Sequence, residues 1–309
     1  MQITPVHILW NGHAGSAAAN QAVLEEFQRH PDITVHHPTT SNQSRILAET
    51  LSNDGAKTIV AAGGDGSINS VVQGLMAAGA KSQLGVLPLG TGNDFCRTLA
   101  VPLDVPQAAA LIHSGSTRRV DVACAVTPDE KVYFANMATG GNTGRFTQKL
   151  TDEMKQFWGP LVYLRGVLDV LADLVPFQVT VKFDDESPQR YTALNIFAAN
   201  GRTSGTGLQV APDASLEDGL LDVVIVLDCE PVEIAGLATD FALGDYRENE
   251  NIIYRRAARI SIDSDPPMAF SADGNLLSES AVEFHIQPSA LEVIVGPDYV
   301  PSPETSPLS

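Results

Sequence analysis

The chain has 309 residues, and 37 acidic against 19 basic side chains give it a formal charge of −18. That surplus repels phosphate backbones and gains nothing from an anionic bilayer, which argues against a general nucleic-acid binder and against membrane steering by bulk charge. A hydrophobic fraction of 44% is enough to fill real cores and excludes a wholly disordered chain.

The first third alternates short apolar strands with helical stretches. Ile3 to Trp10 reads as a strand that ends in a turn-rich NGHAGS segment. A helix over Ala17 to Gln28, a strand over Ile33 to His37 and a helix over Ser44 to Leu51 follow, the last stopped by Asn53-Asp54-Gly55. Thr58 to Ala62 is a buried-type strand running into glycines, with a helix from Ser67 to Ala78 behind it. A strand over Leu84 to Leu87, a helix over 104–113 and a strand over Val120 to Val126 complete the pattern. Such alternation implies a mostly parallel sheet covered on both faces.

Beyond residue 130 the grammar changes. Acidic residues outnumber basic ones by 26 to 12 there, against 11 to 7 before it. Short β-type runs are expected at 131–138, 178–184, 190–199, 222–227, 252–256, 259–263, 268–271, 281–287 and 291–296. Amphipathic helices are expected over 160–174, with Leu161, Leu164, Leu168 and Leu171 on one stripe, and over Glu230 to Leu243. The fold class is therefore α/β with two domains. A three-layer α/β domain spans 1–130, completed by a segment near 291–300. An antiparallel β-sandwich-like domain spans 131–296, and a flexible tail spans 297–309.

Cys96, Cys124 and Cys229 have neither metal-ligand nor disulfide-framework spacing, so a reduced, cytoplasmic setting is expected. No signal peptide is legible, and the most apolar segment, Trp158 to Phe177, is interrupted by Arg165, Asp169 and Asp173, which excludes a membrane span.

The chemistry-bearing segments are two glycine loops, each after a strand and before a polar helix start. In Ala61-Ala62-Gly63-Gly64-Asp65-Gly66-Ser67, glycines let backbone amides approach a phosphate, and the helix N-terminus adds a favourable dipole. Asp65 would repel phosphate, so its functional task is to face a divalent cation. A tight turn with an exposed Asp and a Ser cap is the structural alternative. Pro88-Leu89-Gly90-Thr91-Gly92-Asn93-Asp94-Phe95 repeats the logic, and Asn11 with Gly12 and Gly15 adds a third loop at the same sheet edge. Asn11 and Asn93 also suit plain turns satisfied by their own backbone. Neither the Walker loop nor the dinucleotide fingerprint is present.

With Arg97, these two loops closely resemble the diacylglycerol kinase catalytic family, and within it the soluble bacterial lipid kinases related to diacylglycerol, phosphatidylglycerol and sphingoid-base kinases. The resemblance covers nearly the whole chain: it includes Asp121, Asn136 with Gly140, Asn200-Gly201, Gly205-Thr206-Gly207, Pro212, Asp218 to Asp222 and Asp273-Gly274. It implies a nucleotide site made by Asn11, Thr40, Gly63, Gly64, Asp65, Gly66, Ser67, Gly90, Thr91, Gly92 and Asn93, with Ser67 where threonine is usual. It also implies that Asp65, Asp94 and Asp121 hold magnesium through water, with Arg97 paired to that network. Asp273 becomes the general base, and the resemblance implies a nucleotide-binding domain over 1–130 with the active site in the cleft between it and the second domain. Asn275 stands where the family has glutamate, which removes a negative charge beside that base. A second, structural magnesium or calcium is implied at Ser215, Asp218 and the carbonyl of Leu220.

The expected reaction is transfer of the γ-phosphoryl group of Mg-ATP to a lipid hydroxyl, with diacylglycerol or a related lipid as acceptor. Transient peripheral contact with the inner membrane face, and a homodimer formed through edge strands, are expected with it. A kinase of a small soluble alcohol, or a weakly active nucleotide- or lipid-binding regulator, are the alternatives.

Overall fold

The computed structural model describes residues 5–142, 174–277 and 281–301. Four parallel strands, β1 (Val6–Trp10), β2 (Ile33–His36), β3 (Thr58–Gly63) and β4 (Gln83–Pro88), lie in the order β2-β1-β3-β4. Between them run α1 (Gln21–Arg29), α2 (Ser41–Asn53) and α3 (Asp65–Ala77), and beyond β4 come the short α4 (Asp94–Thr98) and α5 (Val105–Ser114). Every residue of β3 is buried, as a strand covered on both faces requires. The chain moves outward from β1 to β2, recrosses β1 to reach β3, and then continues away to β4. The direction therefore reverses between β1 and β3, and the carboxyl ends of these strands flank the crevice where open parallel sheets bind ligands.

The predicted start of α3 at Ser67 is two residues late. Gly64, extended at φ −89°, occupies the cap position without a side chain, which puts Asp65 inside the first turn. The helix start expected after the second glycine loop is α4; its extent was not legible, because five residues are too few to show a period.

The second half is antiparallel. Its strands are β5 (Ser116–Val126), β6 (Lys131–Phe134), β7 (Met137–Gly141), β8 (Phe177–Phe183), β9 (Gln189–Ala199), β10 (Leu221–Leu227), β11 (Ile252–Ala257), β12 (Arg259–Asp265), β13 (Phe270–Ala272), β14 (Asn275–Leu276) and β15 (Val282–Val295). Along β9, the first half pairs with β8 and the second half with β7, while β10 takes the other side. The sheet therefore folds back on itself around one apolar core, at whose centre Phe284 meets Phe134 and Phe270 with ring centroids 6.0 and 5.4 Å away. Helix α6 (Pro231–Leu243) covers the outer face of β9 and β10 through Leu237 and ends at the left-handed Gly244. The predicted helix over 160–174 lies outside the described residues apart from Leu174. Among the described residues, no helix is long and apolar enough to cross a membrane.

Two breaks in the expected strand pattern shape the site. The single strand expected at 131–138 is divided at Ala135-Asn136 into β6 and β7. The two strands expected at 281–287 and 291–296 are one, β15, with a register shift between Gln287 and Leu291. The first part of β15 pairs with β12 and the later residues of β5; the second part pairs with the start of β5 and, at Val293, with β4. Leu291, Val293 and Val295 consequently sit in the core of the first half, so this strand ties the two halves together.

Candidate active site

The three loops at the carboxyl edge of β1, β3 and β4 touch one another. Asn11 follows β1; its Nδ2 donates to Ser67 Oγ at 2.9 Å, and its backbone N–H donates to the carbonyl of Ala62 at 2.9 Å. Ser16 N–H donates to Leu89 O at 2.9 Å, and a Cβ on Gly15 would lie 3.4 Å from Thr91 Oγ1. Gly64 and Gly90 meet backbone to backbone: a Cβ on Gly90 would stand 2.4 Å from Gly64 Cα. Real Cβ atoms do not come that close, so the two loops share one floor only because both residues are glycine. A Cβ on Gly63 would fall 2.4 Å from the Ser67 side chain. The first-turn amides of α3, including those of Asp65 and Gly66, have no intrahelical acceptor and open onto this floor.

Asn93 has a structural task here. It adopts a left-handed conformation with φ 52°, its Oδ1 accepts from Gly90 N at 3.0 Å, and its Nδ2 donates to Gly90 O at 2.8 Å. Both ends of its amide are spent on shaping the loop. Thr91 is exposed at the rim, and Gly92 is glycine for a nearby reason: a Cβ there would lie 2.8 Å from Asp65 Oδ2 and 3.3 Å from Asp94 Oδ2.

Asp65 and Asp94 are thus brought to one point. Burial pushes the carboxyl of Asp65 above the ordinary carboxylate range and the charge of Asp94 adds to this, while the Phe95 amide, 3.2 Å from Asp65 Oδ1, opposes it. Two carboxylates brought together in this way, neither in an ion pair with a described residue, suit a divalent cation. Asp94 has a second attachment that the sequence did not reveal. Its Oδ1 accepts from Gly207 N at 2.8 Å and its Oδ2 from Thr206 N at 3.1 Å, which binds α4 to the 205–207 turn of the β-rich half.

Asp273 lies on the tight hairpin between β13 and β14, where φ is 44° at Asp273 and 85° at Gly274. This is the mirror-image turn that Asp-Gly favours. The strand break at Ala135-Asn136 turns three successive amides toward it: Oδ2 accepts from Ala135 N at 2.8 Å and Asn136 N at 3.2 Å, and Oδ1 from Met137 N at 2.8 Å. Burial pushes its pKa up to about 6 against the pull of these three donors, and the charge of Asp65 raises it further. That coupling links the hairpin carboxylate electrically to the first turn of α3.

The remaining predicted positions lie elsewhere. Thr40 caps α2, accepting from Gln43 N at 3.2 Å, and is exposed beyond β2 on the same sheet edge. Asp121 does not join Asp65 and Asp94 through any shared contact. Its Oδ1 accepts from Ser289 N and its Oδ2 from Gly219 N, each at 2.7 Å, because the bulge in β15 and the Asp218-Gly219 turn close over it. Ser215 Oγ accepts from Glu217 N at 3.1 Å, and Asp218 Oδ1 accepts from Leu220 N at 3.0 Å. The other Asp218 oxygen is paired with the Arg256 guanidinium, which supplies positive charge where a second metal was expected. Among the described residues, no group of three or more His, Cys, Asp and Glu side chains is placed to hold a metal ion. Arg97 is exposed, lies against Gly207 and makes no ion pair with a described carboxylate, in contrast to the expected link with Asp65 and Asp94.

Two lobes of this kind, with touching glycine loops on one and a pinned carboxylate on the other, have the parts that phosphoryl transfer requires. Residues 5–125 match the diacylglycerol kinase catalytic domain, and residues 138–295 match the YegS C-terminal NAD kinase beta sandwich-like domain. The "Diacylglycerol kinase" of Bacillus subtilis (strain 168) is 31% identical over 254 residues, 82% of each chain. The protein of Klebsiella pneumoniae (strain 342) named "Probable lipid kinase YegS-like" is 32% identical over 286 residues, 91% of this chain and 93% of its own. Crystal structures of a diacylglycerol kinase from Bacillus anthracis str. Sterne align over 97% of this chain with TM-scores of 0.79 and 0.73 at 22% identity, a likeness of fold. The chain belongs to the diacylglycerol kinase family.

Proposed function

We propose that this kinase transfers the γ-phosphoryl group of ATP to the hydroxyl of diacylglycerol or a closely related lipid, with Asp273 as general base. The observation that carries the reading is the carboxylate of Asp273, fixed by three backbone amides and electrically coupled to Asp65 across the seam. Relatives named for diacylglycerol and lipid phosphorylation support the acceptor class.

The donor set fits a magnesium nucleotide. The shared floor of Gly64 and Gly90 excludes side chains, α3 presents its N-terminus there, and the neighbouring carboxylates of Asp65 and Asp94 make no ion pair among the described residues. In this reading Gly63 to Ser67 and Gly90 to Gly92 would hold the phosphates, Asn11 and Thr40 would lie toward the nucleoside, and Asp65 and Asp94 would face magnesium, directly or through water. The metal, when bound, offsets phosphate charge. Phosphoryl transfer then asks the protein chiefly for positioning and charge compensation. The rigid lodging of Asp273 meets the first demand: a fixed base removes the acceptor proton without first being ordered.

The lipid lies at a membrane, so contact with the bilayer is transient and led by apolar contacts, because the charge of −18 does not attract it. The test is a labelled-ATP assay against a panel of diacylglycerol, phosphatidylglycerol, sphingoid bases and water-soluble alcohols, with and without magnesium, products being separated by thin-layer chromatography. Labelled, magnesium-dependent lipid phosphate is expected. Label confined to water-soluble alcohols would reject the lipid reading, and nucleotide binding with no transfer to any acceptor would reject the enzymatic one.

A further inference from the structure

Asn69 is fully buried on α3, and neither Nδ2 nor Oδ1 of its side chain has a hydrogen-bond partner within the protein. Its neighbours Ile68, Val71 and Val72 are apolar core residues, so an unpaired amide among them is a cost that an aliphatic side chain would avoid. Its direction is set by the helix. The Ser70 and Gly74 side of α3 packs on α2, where a Cβ on Gly74 would fall 2.3 Å from Arg45 O. The Ile68, Val72 and Leu75 side joins the core of the parallel sheet. At 3.6 residues per turn, the remaining stripe holds Asp65 and Asn69. Among the described elements, the one left to receive it is β6, against which α3 also packs. Strand β6 leads directly into the three amides that hold Asp273. Asn69 therefore lies one turn below Asp65, facing the strand that builds the Asp273 lodging.

We propose that Asn69 is a positioning residue of the transfer site: its carboxamide holds ordered water that links the Asp65 side of the cleft to the Asp273 lodging. A carboxamide suits this task because it offers a donor and an acceptor together without adding charge between two carboxylates. The inference rests on the functional reading above and adds to it a residue that touches neither substrate nor metal.

The experiment compares native protein with Asn69→Leu and Asn69→Ala by calorimetric melting, by steady-state kinetics and by the pH profile of kcat with diacylglycerol in mixed micelles. For Asn69→Leu the Tm stays level or rises, because the unpaired amide is gone. Its kcat falls at least tenfold, KM for ATP stays within about threefold, and the acid limb moves to higher pH as Asp273 loses solvation. Asn69→Ala reads the same kinetics should the larger leucine prevent folding. Folded variants whose kcat stays within twofold of native, or whose loss of activity only follows a loss of Tm, would overturn the inference. A native protein that transfers no phosphate would overturn the functional reading and this inference together, whereas an active native enzyme with equally active variants would remove this inference alone.

Discussion

The negative charge of Asp65, in the first turn of α3, raises the proton affinity of Asp273 on the hairpin of the opposite lobe. Nucleotide loop and candidate base are thus electrically coupled although they belong to different halves of the chain. The coupling has a consequence for pH. With burial as the larger cause, Asp273 titrates at about 6, and a base works only when deprotonated. Turnover is therefore expected to fall as pH drops through about 6, with unit slope on a logarithmic plot. A kcat profile level down to pH 4.5 would remove Asp273 from that role. Asp273→Ala is expected to lower kcat about 10²- to 10⁴-fold while ATP affinity stays nearly unchanged, as seen by titration calorimetry.

Asp94 predicts a different phenotype from Asp65, although both carboxylates face Gly92. Asp94→Ala leaves the Thr206 and Gly207 amides without their acceptor, at a cost of about 1–3 kcal/mol, and releases the clasp between lobes. A lower Tm together with lower activity is expected. Asp65→Ala loses the bond to the Phe95 amide and the weaker pull of the Asp94 and Asn93 amides, but it also relieves a repulsion and removes a buried carboxyl, so its Tm should fall less than that of Asp94→Ala while the magnesium dependence of kcat weakens. Equal melting losses for the two variants would contradict the clasp.

This contrast marks how much could be read from sequence. Gly63 to Ser67 and Gly90 to Asp94 were legible because strand, glycine turn and helix start are local features. The clasp of Asp94 was not, because its partners lie 112 and 113 residues further along the chain. The amide cradle of Asp273 spans 136 to 138 residues and depends on a strand break that hydrophobic alternation does not reveal. Asp121 was grouped with Asp65 and Asp94 by resemblance, yet the bulge in β15 that captures it is visible only once the strands are paired. Asn69 was hidden for the opposite reason: a single amide inside an apolar helical run carries no periodic signal.

The contact between Gly64 and Gly90 predicts that one methyl group is enough to damage the nucleotide floor. Gly90→Ala places its Cβ against the backbone of Gly64, which cannot yield as a flexible side chain would. A destabilisation of about 1–3 kcal/mol is expected, as for other overpacked sites. ATP affinity should fall with it, since the two loops must separate. Gly236→Ala, on α6 of the β-rich half, is the control, because its Cβ would meet nothing within 4 Å. Equal ATP affinities for the two variants would show that the shared floor is not the nucleotide site.

Asn275 offers a test of charge beside the base. It begins β14, paired with Ala272 and two residues from Asp273, at the position where the family resemblance implies a glutamate. Asn275→Glu adds a negative charge to the hairpin, and a like charge disfavours the ionised form of Asp273. At a separation of roughly 8 Å and an effective dielectric constant of about 40, the repulsion is ~1 kcal/mol, or somewhat under one pH unit. The acid limb of kcat should therefore move above its native position near pH 6, with activity lost at pH 6 and approaching the native rate by about pH 8. A limb that stays in place while kcat rises at every pH would assign the glutamate to orienting the acceptor, and the charge argument would then fail. The two outcomes separate in one pH series on one variant.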